Sequence, residues 1–90
     1  MDLKYKMFKD LPAEFMEKII SHSDFTSDEY WILKYSVIGL TNGNGKRFYL
    51  MVDNICDRLN ISRSKFRYLK DRALAKAYIL VIEHLKKLTL

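Results

Sequence analysis

The sequence predicts an all-α domain of about five helices that ends in a helix-turn-helix and a long last helix. Three observations carry this expectation. Apolar residues recur three and four apart through most of the chain, the spacing of helices with one buried face. The clearest run of turn formers is TNGNG at 41–45. Residues 54–76, NICDRLNISRSKFRYLKDRALAK, set a compact apolar helix, a two-residue break and a cationic stretch side by side.

Ninety residues suffice for one domain with a modest core, and 49% hydrophobic residues with 13% aromatic place the chain among globular rather than disordered sequences. Cys56 is the single cysteine, so no intramolecular disulfide forms and nothing argues for an oxidising compartment. The opening MDLKYKMFKD lacks the apolar core of a signal peptide, and the longest apolar run, 77–82, is too short to cross a bilayer. A soluble intracellular protein without membrane contact is expected.

Leu3, Met7 and Phe8 mark a short first element, and residues 1–25 as a whole read as an N-terminal helical extension. Pro12 suits the first turn of a second helix whose stripe is Phe15, Met16, Ile19 and Ile20. Thr26-Ser27-Asp28-Glu29 reads as a capping box that opens a third helix, with Thr26 accepting from the amide three residues on and Glu29 reaching back. That helix is expected to reach about Leu40 and to bury Tyr30, Leu33, Val37 and Leu40, with Trp31, Lys34 and Ile38 on its flank. TNGNG either turns a hairpin or loops between helices; helical spacing over 30–40 favours the loop, and residues 48–52 are left as a candidate short strand. A fourth helix over 49–59 and a fifth after Ser62 complete a three-helix core, residues 26–76.

Within that core the order of residue types is specific. Ile55 and Leu59 face inward, and Cys56 is small enough for the closest helix approach. Asn60 tolerates the left-handed turn, Ile61 plugs the gap, and Ser62 caps the next helix. Phe66, Leu69 and Ala73 then pack that helix back on the core. A plain helical hairpin with a solvated face explains the apolar positions but not this succession.

Net charge is +5, yet residues 1–60 carry eight Lys/Arg against nine Asp/Glu, while residues 61–90 carry eight against two. The whole excess lies on the last third, as expected of a domain that presents one basic element to phosphates. With Phe66 and Leu69 inward, Arg63, Ser64, Arg67, Tyr68 and Asp71 project outward, with Lys65 and Lys70 on the flanks. Arg63, Ser64 and Arg67, with Ser62 at the cap, are the candidates for base edges in the major groove. Lys65, Lys70 and Arg72 are candidates for phosphates, and Tyr68 for a phosphate or a thymine methyl. Asp71 would orient Arg67. Lys46 and Arg47 are weaker backbone candidates. The expected partner is double-stranded DNA, read sequence-specifically by a transcription regulator.

SDEYWILKYSVIGL followed by VDNICDRLNISRSKFRYLKDRALAKAYIL resembles the fourth, promoter-reading region of bacterial sigma factors. It is closer to the ArpU/RinA-type late-transcription regulators of phages and prophages, through Ile61-Ser62-Arg63-Ser64, Phe66, Tyr68-Leu69-Lys70 and Ala73-Leu74. The resemblance covers about residues 27–80. It implies DNA binding and transcription control, expected in the cytoplasm of a bacterial or phage-infected cell; an RNA polymerase or replication-protein contact belongs to the alternative reading of an adaptor. The loop at 41–47 is longer than in compact sigma domains, and Met51-Val52 stands where a polar cap usually opens the first motif helix.

His22, His84 and Cys56 have no ligand spacing, and no nucleophile is paired with a base, so neither a metal, a cofactor nor an enzymatic activity is expected. From another class, an adaptor that binds an acidic protein partner is the alternative. Residues 77–90 extend the last helix or form a wing: the β-formers of 78–83 would make a hairpin within 78–90, a winged helix similar to plasmid or phage replication initiators. The absence of Gly, Asn or Pro at 83–86 favours the helix. A continuous helix carries a second stripe, Leu74, Tyr78, Val81, Leu85 and Leu88, covered either by Phe15, Met16, Ile19 and Ile20 or by a second copy in a homodimer.

Overall fold

The structure, a computed structural model, describes residue 8 and residues 10–89. Along them run α1 (Ala13–Ile20), α2 (Ser27–Leu33) continued by a π-helical turn (Lys34–Ile38), β1 (Leu40–Thr41), β2 (Arg47–Phe48), α3 (Val52–Leu59) and α4 (Arg63–Thr89). The described chain is therefore mostly helical, with a long last helix and one small antiparallel hairpin. No helix among these residues is long and apolar enough to cross a membrane. Of the residues that mark the short first element, Leu3 and Met7 lie outside the described residues, and Phe8 is fully buried.

α1 starts directly after Pro12, whose carbonyl accepts the Met16 amide at 3.1 Å. Proline lacks an amide hydrogen that the first turn would leave unpaired in any case. Met16 and Ile20 are buried and Phe15 and Ile19 half-buried, the expected stripe. On its polar side Glu17 accepts from the Tyr30 hydroxyl at 3.4 Å and pairs with Lys34, tying α1 to the next helix.

The capping box forms as read: Thr26 Oγ1 accepts from Glu29 N at 3.2 Å, and Glu29 Oε1 from Thr26 N at 2.9 Å. The helix ends at Ile38, not Leu40. Its last turn widens so that Gly39 N reaches Lys34 O at 2.8 Å, and Gly39, at φ 87°, swings the chain into β1. A Cβ at Gly39 would stand 2.9 Å from the Phe48 carbonyl, so the close approach of the hairpin also needs glycine there. The loop expected at 41–47 is in fact this hairpin, with Leu40 opposite Phe48 and Thr41 opposite Arg47. Asn42 accounts for it: its Oδ1 accepts from the amides of Asn44 and Lys46 at 2.9 and 3.0 Å, supplying the turn from its own side chain.

α3 begins three residues later than expected. The Leu50 amide is held by the Tyr35 carbonyl at 3.1 Å, which keeps residues up to Met51 extended. Met51 makes no side-chain cap.

Two apolar clusters lie on either side of α2. One joins Phe8, Met16, Ile20, Leu33, Val37 and Ile38 to Ala73, Ala77 and Val81. The other joins Ile32 to Ile55, Cys56 and Phe66, with Leu59, Ile61 and Leu69 packed on it. This explains why Ile32 is buried although a single stripe through Leu33 and Val37 omitted it, since α2 is buried on two sides; Ile38, expected on the flank, joins Leu33 and Val37 in the first cluster. α4 crosses both clusters. At 1.5 Å per residue its 27 residues span about 40 Å, close to the 44 Å longest extent of the molecule.

Residues 78–89 are helical, so among the described residues the hairpin of this fold precedes α3 and no wing forms over 78–89. The β-forming composition of 78–83 is overridden because Ala77 and Val81 are buried against Met16 and Ile20. The same packing covers the inner part of the second stripe from within the chain, the first of its two expected covers. Val81 is fully buried and Leu74 and Tyr78 are half-buried within the chain, leaving Leu85 and Leu88 at 44% and 69% exposure.

One polar contact joins these parts. Glu29 is fully buried, and Lys76 donates to its Oε1 at 2.7 Å and to the Asp24 carbonyl at 2.7 Å. Burial, the largest influence, pushes the Glu29 carboxyl up, but the Lys76 hydrogen bond, the Thr26 amide and the Lys76 charge outweigh it and hold the group below its ordinary value. A carboxyl depressed in the folded state stabilises above its unfolded value, and that stability is lost as pH falls through the ordinary carboxylate range to the folded value. Urea unfolding between neutral and acid pH should therefore show a loss at the acid end that is smaller in Glu29→Gln; equal losses would contradict this reading.

Candidate nucleic-acid interface

The helix-turn-helix is built by three local devices centred on residues 60–62. Asn60 sits at φ 55°, ψ 50°, the left-handed conformation expected of it. Its amide bonds the Asp57 carbonyl at 3.4 Å and the Ile61 amide bonds the Cys56 carbonyl at 3.0 Å, the paired closure of a Schellman motif. Ser62 Oγ then accepts from Lys65 N at 3.1 Å, capping α4. Ile61 packs with Ile32, Ile55 and Phe66, and Cys56 lies buried at the same junction.

This geometry sets which side chains α4 presents. Phe66 and Ala73 are buried and Leu69 half-buried, so Ser62, Arg63, Ser64, Lys65, Arg67, Tyr68, Asp71 and Arg72 come out exposed. Lys70 is half-buried, its ammonium 5.8 Å from the Phe66 ring centre. The predicted residues thus occupy one continuous surface on the first three turns of α4, but not all are equally available. Arg63 is paired with Asp53, its Nε donating at 2.7 Å, which ties the start of α4 to the first turn of α3. Arg72 leans on Glu29 and Tyr68 rather than standing clear for phosphate. No Arg67–Asp71 ion pair forms among the described residues, so Arg67 is not held by the acid one turn on.

The hairpin candidates also divide. Lys46 is exposed at the turn. Arg47 is half-buried; it donates from Nε to the Ile38 carbonyl and lies over the Tyr49 ring at 5.8 Å. It joins the hairpin to the end of the π-helical turn, so it is less available for a backbone contact than Lys46.

Sequence reasoning missed Glu29 as the buried acid that draws Arg72 and Lys76 inward behind this surface. A capping-box glutamate is ordinarily solvated, and the only signal was Lys76, a lysine on the core-facing edge of α4. Among the described residues no group of three His, Cys, Asp or Glu side chains is placed to hold a metal ion. Comparison with protein-family models, with curated proteins and with solved structures returns no match.

The turn chemistry makes a direct prediction. A β-carbon without a local polar partner costs about 1–2 kcal/mol in the left-handed region, whereas glycine is free of that penalty. Asn60→Ala should therefore lower unfolding stability by about 1 kcal/mol while Asn60→Gly stays within about 0.5 kcal/mol of the parent. Denaturant titration that ranks them the other way would refute the assigned turn.

Proposed function

We propose that the domain binds duplex DNA in a sequence-specific manner through the first three turns of α4 and acts as a transcription regulator. The observation that carries this reading is the exposure of Ser64, Arg67 and Tyr68, flanked by Lys65, on a helix whose start is locked by Asn60, Ile61 and Ser62. Such a locked helix presents its N-terminal residues as a rigid unit to the major groove. The +6 balance of residues 61–90 adds attraction to phosphate, since those residues carry all the excess charge. The resemblance to phage late-transcription regulators points the same way.

Arg67 is the residue proposed to read a base, through paired bonds to a guanine edge, and Lys65 a residue that meets phosphate. A second reading, an adaptor for an acidic protein partner in the transcription or replication machinery, draws on the exposed apolar run Phe48, Tyr49, Met51 and Val52 at the entry to α3.

Selection from a random duplex pool, followed by titration over a salt series, separates the two. Arg67→Ala should lose about 1–3 kcal/mol on the selected site and little elsewhere, whereas Lys65→Ala should weaken all duplexes alike and lower the salt slope by about one. A pool without an enriched site, or equal and negligible losses, would overturn the proposal in favour of the adaptor.

A further inference from the structure

Tyr68, Arg72 and Lys76 follow one another at four-residue spacing on α4. Each step turns the row about 40° around the helix axis toward the core. Exposure falls along it. Tyr68 is 60% exposed, the Arg72 and Lys76 side chains 55% and 24%, and the row ends on Glu29, which is fully buried.

Contacts run the same way. Lys76 occupies Glu29 Oε1 at 2.7 Å. Arg72 Nε lies 3.7 Å from Glu29 Oε2, an oxygen that is buried and accepts no hydrogen bond, so Arg72 is the cation that balances it. At its other end Arg72 Nη1 donates to the Tyr68 hydroxyl at 3.2 Å. The guanidinium is therefore held between a buried carboxylate and a phenol on the outer face.

That arrangement dictates what Tyr68 can do. A phenol has one proton and an oxygen that accepts, and a guanidinium has no acceptor. With Arg72 donating to the oxygen, the Tyr68 proton is directed away from Arg72, toward solvent or a ligand. We propose that Glu29 and Arg72 are positioning residues that present Tyr68 as a hydrogen-bond donor to an acceptor on duplex DNA. The acceptor is a phosphate oxygen or a base-edge atom such as purine N7 or thymine O4. This inference rests on the DNA-binding reading and changes the part Arg72 plays in it, from a phosphate contact to a residue acting through Tyr68.

The test compares Tyr68→Phe, Arg72→Lys and the double variant on a selected and an unrelated duplex over a salt series. Lysine keeps the charge but cannot bridge carboxylate and phenol as a fork does. Tyr68→Phe should weaken binding about tenfold, the scale of one hydrogen bond. Arg72→Lys should lose about as much with the salt slope unchanged, and the double variant should be no worse than either. Loss confined to the selected duplex assigns the acceptor to a base edge, and equal loss on both assigns it to phosphate; each supports the donor role. Multiplied losses in the double variant, or wild-type binding by Arg72→Lys, overturn it.

A readout in the free protein is independent of DNA. The Arg72 Nε–H vector, held by the ion pair with Glu29 and the bond to Tyr68, should be more ordered in nitrogen relaxation than that of Arg67 and lose that order in Glu29→Gln, with folding verified by circular dichroism. An Arg72 side chain as mobile as Arg67 in the wild type overturns the positioning role. Absence of duplex binding by a wild type that keeps the ordered Arg72 overturns the DNA reading, and the donor role with it.

Discussion

A carboxylate cut off from water holds this fold together. Burying Glu29 removes its hydration, a cost offset at Oε1 by two hydrogen bonds and at Oε2 only by the charge of Arg72 at 3.7 Å. The partners come from separate parts of the chain: the Thr26 amide at the start of α2, and Lys76 from the middle of α4. Lys76 is itself fixed by the Asp24 carbonyl and lies 5.9 Å from the Phe25 ring. The contact therefore sets how α4 lies against α2, where apolar packing alone would allow sliding.

Everything toward the proposed interface follows from that placement. α4 is shared by two clusters, and Lys76 falls between Ala73 and Ala77, whose small side chains let the helices approach closely. The Ile32, Ile55 and Phe66 cluster then seats α3 beneath the first turns of α4, while Met16, Ile20 and Val81 hold its far half. A helix anchored along most of its length presents Ser64, Arg67 and Tyr68 in one fixed frame. The residues reaching that face are in turn graded by the core: Arg72 is drawn inward by Glu29, and Arg63 is drawn toward α3 by Asp53.

What was legible in the sequence is what short-range chemistry decides. The Thr26 and Glu29 box, the left-handed Asn60 and the Ser62 cap each involve residues within four positions of one another, so type and spacing identify them. The inward set Ile55, Cys56 and Phe66 was legible for the same reason. The Glu29–Lys76 pair spans 47 positions and has no local signature. The end of α2 and the late start of α3 depend on a bond between Tyr35 and Leu50 that only the folded hairpin creates. The hairpin itself was weighed and set aside because periodicity over 30–40 was taken through Gly39, the residue at which it stops. The stripe through Val81 was legible as apolar, but which surface covered it was decided by α1, far away in sequence.

The claim that one buried ion pair positions α4 is tested most directly by a double-mutant cycle on Glu29 and Lys76, with Glu29→Met, Lys76→Met and the double variant followed by chemical denaturation at neutral pH. Each single change takes the hydrogen-bonded ion-pair partner from a buried or half-buried charge, leaving Glu29 the cation Arg72 at 3.7 Å and Lys76 the Asp24 carbonyl, while the double change removes both charges. The account predicts that the double variant is more stable than the sum of the two losses implies, by a coupling of about 1–3 kcal/mol. Losses that add to within about 0.5 kcal/mol would show that the two side chains do not act as a unit, and would contradict it.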